Sequence, residues 1–235
     1  MSVSKTTPPW VRESGLCREA RLAALGVPHG FTLKSLGDMK VPANMEEALS
    51  RAGLARKTPL LLKQKHGMII HRAAPGQKRL EGDGWVSDVS GLPVAVYSAD
   101  CIPLLVWDRD LKAVGAFHAG WRGLAAGMVE AAVETFRALG LAPAALRAAA
   151  GPHARPCCYR VGPELEERFR PESFSRRPEG LFLDLGAEAR ARFVQAGLDP
   201  REVTACPDCT ICSGDYFSWR REAQDHRILS FIVRP

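Results

Sequence analysis

No stretch of this chain approaches the roughly 18 consecutive apolar residues that a membrane-spanning helix needs. Its most apolar region, LPVAVYSADCIPLLVW (92–107), is broken by Asp100. The opening segment MSVSKTTPPWVRESG lacks the apolar core of a secretion signal, which leads us to expect a cytoplasmic protein without a membrane partner. Seven cysteines, an odd number, then read as thiols available as ligands or nucleophiles rather than as a disulfide framework. Low-complexity tracts, internal repeats and runs of five like charges are missing, which excludes a disordered chain and a basic nucleic-acid arm. The short-range metal pattern HExxH is missing too.

What is present is the composition of an ordinary folded domain, 46% hydrophobic and 25% charged over 235 residues. That length can bury a proper core as one domain over 1–235, with residues 1–15, polar and proline-bearing, as a loose N-terminal tail. The 21 glycines and 17 prolines imply many tight connections rather than a bundle of long helices. Net charge is +6, with 24 arginines against 8 lysines, a surface able to attract phosphate or a nucleotide.

Apolar runs predict strands in PLLLKQKHG ending at His66, LPVAVYSADC ending at Asp100 and Cys101, IPLLVWD, AVGAFHAG ending at His118, and RILSFIV. Helical spacing predicts helices in NMEEALSRAGL with Asn44 as N-cap, LAAGMVEAAVETFRAL, GPELEERF and LDLGAEARARFVQAGL. Strands and helices mix throughout, so the fold class is α/β or α+β with a buried sheet.

His66, Cys101 and His118 each stand where an apolar strand gives way to a turn containing glycine or proline. At one sheet edge, two imidazoles and a thiolate would make a zinc site with one position open, as catalytic zinc sites have. Such a site lowers the pKa of bound water to roughly 7. Copper is the alternative ion, because a soft Cys with two His suits it as well. The same residues permit another reading, a nucleophilic Cys101 activated by His118 with Asp100 or Gln64 assisting. Arg122, in HAGWRG (118–123), can meet an anion, and YFSWRRE (216–222) interleaves aromatics with Arg220 and Arg221. CPDCTICSG spaces Cys206, Cys209 and Cys212 at three-residue intervals. With a fourth ligand such as Cys17 or Cys158 they would form a second metal or redox centre; otherwise they are partly buried free thiols.

The blocks KQKHG (63–67), GDGWVS (82–87), SADCIPLLV (98–106), FHAGWRGL (117–124), GPHARPCCYRVGPE (151–164), DLGAEAR (184–190) and CTICSGDYFSWRRE (209–222) occur in this order. Together they resemble the YfiH/YlmD-like laccase-domain family, also called the multicopper polyphenol oxidase type or purine nucleoside phosphorylase family, over about residues 28–234. The resemblance implies a single-domain layered sandwich of mixed β-sheets flanked by helices, and zinc on His66, Cys101 and His118. It also implies phosphorolysis of adenosine, inosine, guanosine and methylthioadenosine, together with adenosine deamination. Purine nucleosides and phosphate are then the partners of a monomer or homodimer. We expect Asp100, Cys101, His118 and Arg122 to be catalytic, and Lys34, Gln64, Arg122, Phe217 and Arg220 to contact substrate. Thiol hydrolysis and copper-dependent polyphenol oxidation are the alternative activities. Three places depart from the family pattern: Lys34 replaces the usual arginine in a shortened segment, QKHG replaces QVHG, and Gly84 and Trp85 follow Asp83.

Overall fold

The strand Ile102–Asp108 is apolar at almost every position, and the fold explains why. Leu104 and Val106 point into one hydrophobic cluster, whereas Leu105 and Trp107 point into another. Successive side chains of a strand face opposite ways, so a strand covered on both sides must be apolar throughout. It lies inside a six-stranded mixed sheet ordered Val203–Ala205, Leu146–Ala150, Ile102–Asp108, Val114–Ala119, Gly84–Ser87 and Ile70–Arg72. The computed structural model describes residues 9–235.

One face of this sheet is covered by the helices Trp121–Ala126, Met128–Ala138 and Leu185–Gln195, which contribute Leu124, Met128, Phe136 and Phe193. The other face packs on a five-stranded antiparallel sheet, ordered Trp10–Glu13, Leu16–Glu19, His29–Thr32, Ile228–Val233 and Pro93–Ser98. Phe31, Val94, Val96 and Ile232 fill the space between the sheets. On the far side of the five-stranded sheet, Ala95, Leu229 and Phe231 pack with Ala48 and Leu49 of the helix Pro42–Arg51. The layers therefore run helix, sheet, sheet, helix. A small three-stranded sheet, Arg160–Val161, Gly180–Leu183 and Phe174–Arg177, lies outside this stack.

Several elements differ from the sequence expectation. Trp10–Glu13 is not loose: it pairs with Leu16–Glu19, while residues 1–8 of the expected tail lie outside the described residues. Helix Pro42–Arg51 starts after Val41 with proline in its first turn, where a missing N–H costs nothing. Asn44 instead donates its side chain to the Asp38 carbonyl at 3.0 Å. The helix expected through 124–139 breaks at Gly127, whose φ of +106° favours glycine. PLLLKQKHG makes only single bridges, Leu60 with Val94 and Lys63 with Glu81. GPELEERF shortens to the turn Pro163–Leu165.

Among the described residues no helix is long and apolar enough to cross a membrane.

Candidate metal centre

Sheet register assembles most of the site. Pro103 pairs with His118 and Ile102 with Ala119, so Cys101 and His118 emerge at the same end of neighbouring strands. Gly84 pairs with Phe117, which puts Asp83 beside His118, and the His118 amide donates to the Asp83 carbonyl at 2.7 Å. Cys101 lies where the chain leaves the strand Pro93–Ser98 of one sheet and enters Ile102–Asp108 of the other. That crossing needs a sharp bend, and Asp100 supplies it with a φ of +86°.

His66 arrives from outside the sheets. Its backbone also has positive φ, +60°, an uncommon state for a residue with a side chain. The Asp83 carboxylate stabilises it by accepting from the amides of Lys65 (3.1 Å), His66 (2.9 Å) and Gly67 (2.9 Å). Successive amides around one anion form a nest. The same carboxylate accepts from His118 Nδ1 at 2.9 Å, which leaves His118 Nε2 free to ligate. Gly120 makes room for the assembly: a Cβ there would stand 3.0 Å from Cys101 Sγ and 3.1 Å from the His66 ring.

The donor atoms of His66, Cys101 and His118 lie within 4.8 Å of one another, and the two imidazole rings meet edge to face at 4.9 Å. Burial opposes a thiolate at Cys101, but the charge and hydrogen bonds of His118 and His66 outweigh it and lower the thiol to about 6. For His118, burial opposes protonation, while the Cys101 thiolate and Asp83 raise the ring to about 9. Burial likewise works against ionisation of Asp83, yet His118 and the amides hold its carboxyl below the ordinary range. One ionised thiol and two imidazoles, one of them oriented by a carboxylate, fit a borderline-soft divalent cation.

This cluster opens into a cavity of about 810 Å³ that is also lined by Gln64, Asp100, Arg122 and Arg220 of the expected site. Lys34 and Phe217 do not line it. Lys34 pairs with Glu222 at 2.5 Å and sits over the buried Phe217 ring. Gln64 is a clamp on the backbone, donating to the Tyr97 carbonyl and accepting from its amide at 2.8 and 2.7 Å. The Asp100 carboxylate is occupied as well, by the Thr210 hydroxyl at 2.6 Å and the Arg220 amide at 2.7 Å. Among the described residues, Arg122 and Arg220 form no ion pair with a carboxylate, and they stack on Trp121 and Tyr159. Sequence reasoning missed Tyr97, Tyr159 and Trp219 in the lining because each comes from a different part of the chain. It also missed Asp83 as a site residue, although GDGW was among the quoted blocks.

Comparison with known proteins matches the family described as multi-copper polyphenol oxidoreductase laccase to residues 34–235. The chain belongs to the YfiH/YlmD-like laccase-domain family. A Deinococcus radiodurans protein named purine nucleoside phosphorylase is 31% identical over 238 residues, 92% of each chain. The Escherichia coli K12 protein named purine nucleoside phosphorylase YfiH is 30% identical over 241 residues, 96% of each chain. Among solved structures, YlmD from Geobacillus stearothermophilus superimposes with a TM-score of 0.87 at 25% identity, over 96% of this chain and 98% of that one. The Bacillus licheniformis hypothetical protein YfiH shares the fold, with a TM-score of 0.87. The family assignment and the layered sandwich agree with what the seven sequence blocks implied.

Proposed function

We propose that the chain is a metal-dependent enzyme acting on purine nucleosides, with phosphorolysis as its main reaction and adenosine deamination as a second. One observation carries the reading. A two-histidine, one-cysteine cluster lies in the same cavity as Tyr159, Trp219 and two arginines that, among the described residues, form no ion pair with a carboxylate. Flat aromatic surface suits a purine ring, and guanidinium groups without a carboxylate partner suit phosphate. The names of the Deinococcus and Escherichia relatives support the same substrate class.

His66, Cys101 and His118 would hold a cation, zinc by the donor set with copper as the alternative, which would supply Lewis acidity. Arg122 and Arg220 hold phosphate. A phosphate oxygen then bonds to ribose C1′ as the bond from C1′ to the purine nitrogen breaks, and the departing base takes up a proton. We assign Tyr159, in the cavity lining, as the donor to this base. Burial first, then the negative charges of Cys101 and Asp100, push its hydroxyl up to about 12, so it keeps its proton at neutral pH. Asp100, with both oxygens already accepting hydrogen bonds, positions the bend before Cys101 rather than carrying the proton.

A second reading rests on a specific geometry. Cys101, His118 and Asp83 form a thiolate, imidazole and carboxylate series, the arrangement of a thiol hydrolase. Polyphenol oxidation, the activity in the family description, needs copper on the same ligands. The other histidines do not extend this centre. His29 and His153 are sealed in the interior, His71 bonds the Glu81 carbonyl, and His226 packs on Phe217.

Purified protein incubated with adenosine, with and without phosphate, tests these readings. Adenine with ribose 1-phosphate, or inosine, supports the proposal. Cys101→Ala should then lower turnover by about a thousandfold, the loss of several kcal/mol of electrostatic stabilisation. Unchanged adenosine, with ester hydrolysis that survives chelators but not alkylation, overturns it for the thiol hydrolase. Unchanged adenosine with phenol oxidation that requires copper overturns it for the oxidase.

A further inference from the structure

Four cysteines that take no part in this chemistry converge on the surface beside it. Cys157 and Cys158 come from the turn after Pro156, and Cys209 and Cys212 from the CTIC segment. Their four sulfurs lie within 4.8 Å of one another, with Cys157 and Cys212 at 3.7 Å. A tetrahedral thiolate site with metal–sulfur bonds of about 2.3 Å separates its sulfurs by about 3.8 Å. The structure thus departs from the grouping that sequence spacing implied. Cys206 turns away from Cys209 and Cys212 to meet Cys17 in the interior at 3.9 Å. Asp208, the third member of that buried group, is already held by Arg12 at 2.5 Å and by the Tyr216 hydroxyl at 2.7 Å.

The loop around Cys209 carries a further mark of a metal-holding turn. The Arg155 amide donates to Cys209 Sγ at 3.4 Å. An amide donating to a sulfur stabilises the charge of a bound thiolate. The Arg221 guanidinium ties the loop from outside through the carbonyls of Thr210, Ile211 and Ser213 at 3.0, 2.9 and 2.6 Å.

We propose that Cys157, Cys158, Cys209 and Cys212 form a second metal site, a closed tetrathiolate that binds structural zinc. With all four ligands from protein it leaves no position for substrate, unlike the three-ligand centre in the cavity. Its role follows from what it joins. Tyr159 directly follows Cys158 and lines the cavity, while Thr210 directly follows Cys209 and bonds the Asp100 carboxylate. A cation clasping the two segments fixes that wall of the cavity. The inference does not depend on which reaction the cavity performs.

The test measures metal in the full-length His66→Ala/Cys101→Ala variant, which lacks two of the three cavity ligands. After growth with zinc and purification under reducing conditions, the variant should retain one zinc per chain. X-ray absorption at the zinc edge should show a shell of four sulfurs at about 2.3 Å. Adding Cys157→Ser, at an exposed position, should lose that zinc or replace one sulfur by a lighter neighbour. Cobalt(II) substitution should give the intense charge-transfer bands of a tetrathiolate in the first variant and weaker, shifted bands in the second. A metal-free double variant overturns the proposal, as does a zinc shell containing nitrogen or fewer than four sulfurs. Pairing of these cysteines as disulfides, read from intact mass before and after reduction, also overturns it.

Discussion

Asp83 takes four hydrogen bonds on one carboxylate, three from consecutive amides of residues 65–67 and one from the His118 ring. It therefore fixes two of the three clustered side chains in different ways: His66 through its backbone and His118 through its ring. In Asp83→Asn, one acceptor oxygen becomes an NH₂ group facing amides that also need acceptors, and the nest loosens. We expect metal affinity to fall by about 10- to 100-fold while the sheet stays folded. Chelator competition against zinc measures this. Unchanged affinity would mean that strand pairing alone orients His118. Cys101 was legible as a member of the cluster from the strand-end pattern, but Asp83 was not. A carboxylate reaching back eighteen residues to a turn leaves no periodic trace in a sequence.

The strand Ile102–Asp108 and its neighbours read well from sequence because burial on both faces leaves only apolar residues. Leu104 and Leu105 test that reading. They are adjacent in the chain yet belong to separate cores. Leu104→Ala and Leu105→Ala should each cost about 2–5 kcal/mol in chemical denaturation. A strand buried on one face alone would give a large loss for one and almost none for the other. Short elements were less legible. The hairpin of Trp10–Glu13 with Leu16–Glu19 carries charged residues and is held in place by pairing with His29–Thr32. Gly127 looked like an ordinary helical glycine until its φ marked the break between two helices.

At the scale of the whole molecule, burial of histidine makes stability depend on pH. His29 uses both ring nitrogens as a neutral imidazole, donating to the Val27 carbonyl at 2.8 Å and accepting from the Glu19 amide at 3.0 Å. Burial lowers it to about 4, and lowers His153 to about 4 as well. Because the unfolded chain protonates these rings near pH 6.5, their contribution is complete above that value. It is lost as pH falls from 6.5 toward 4, by on the order of 3 kcal/mol for each ring. Urea denaturation between pH 7 and pH 4 should show stability falling with acid, with a shallower slope for His29→Gln. A flat profile would mean that neither ring is held neutral.

The amino-acid sequence by itself determined the fold class, the family and the candidate residues His66, Cys101 and His118, because buried strands and motif glycines are local requirements written in consecutive residues. Tertiary structure alone decided which groups share a site. Strand register brought Asp83 to His118, the crossing between sheets aimed Cys101 at both imidazoles, and loop packing divided the remaining thiols between an interior pair and a surface quartet. Such meetings depend on distances between segments far apart in the chain, and residue spacing does not record them.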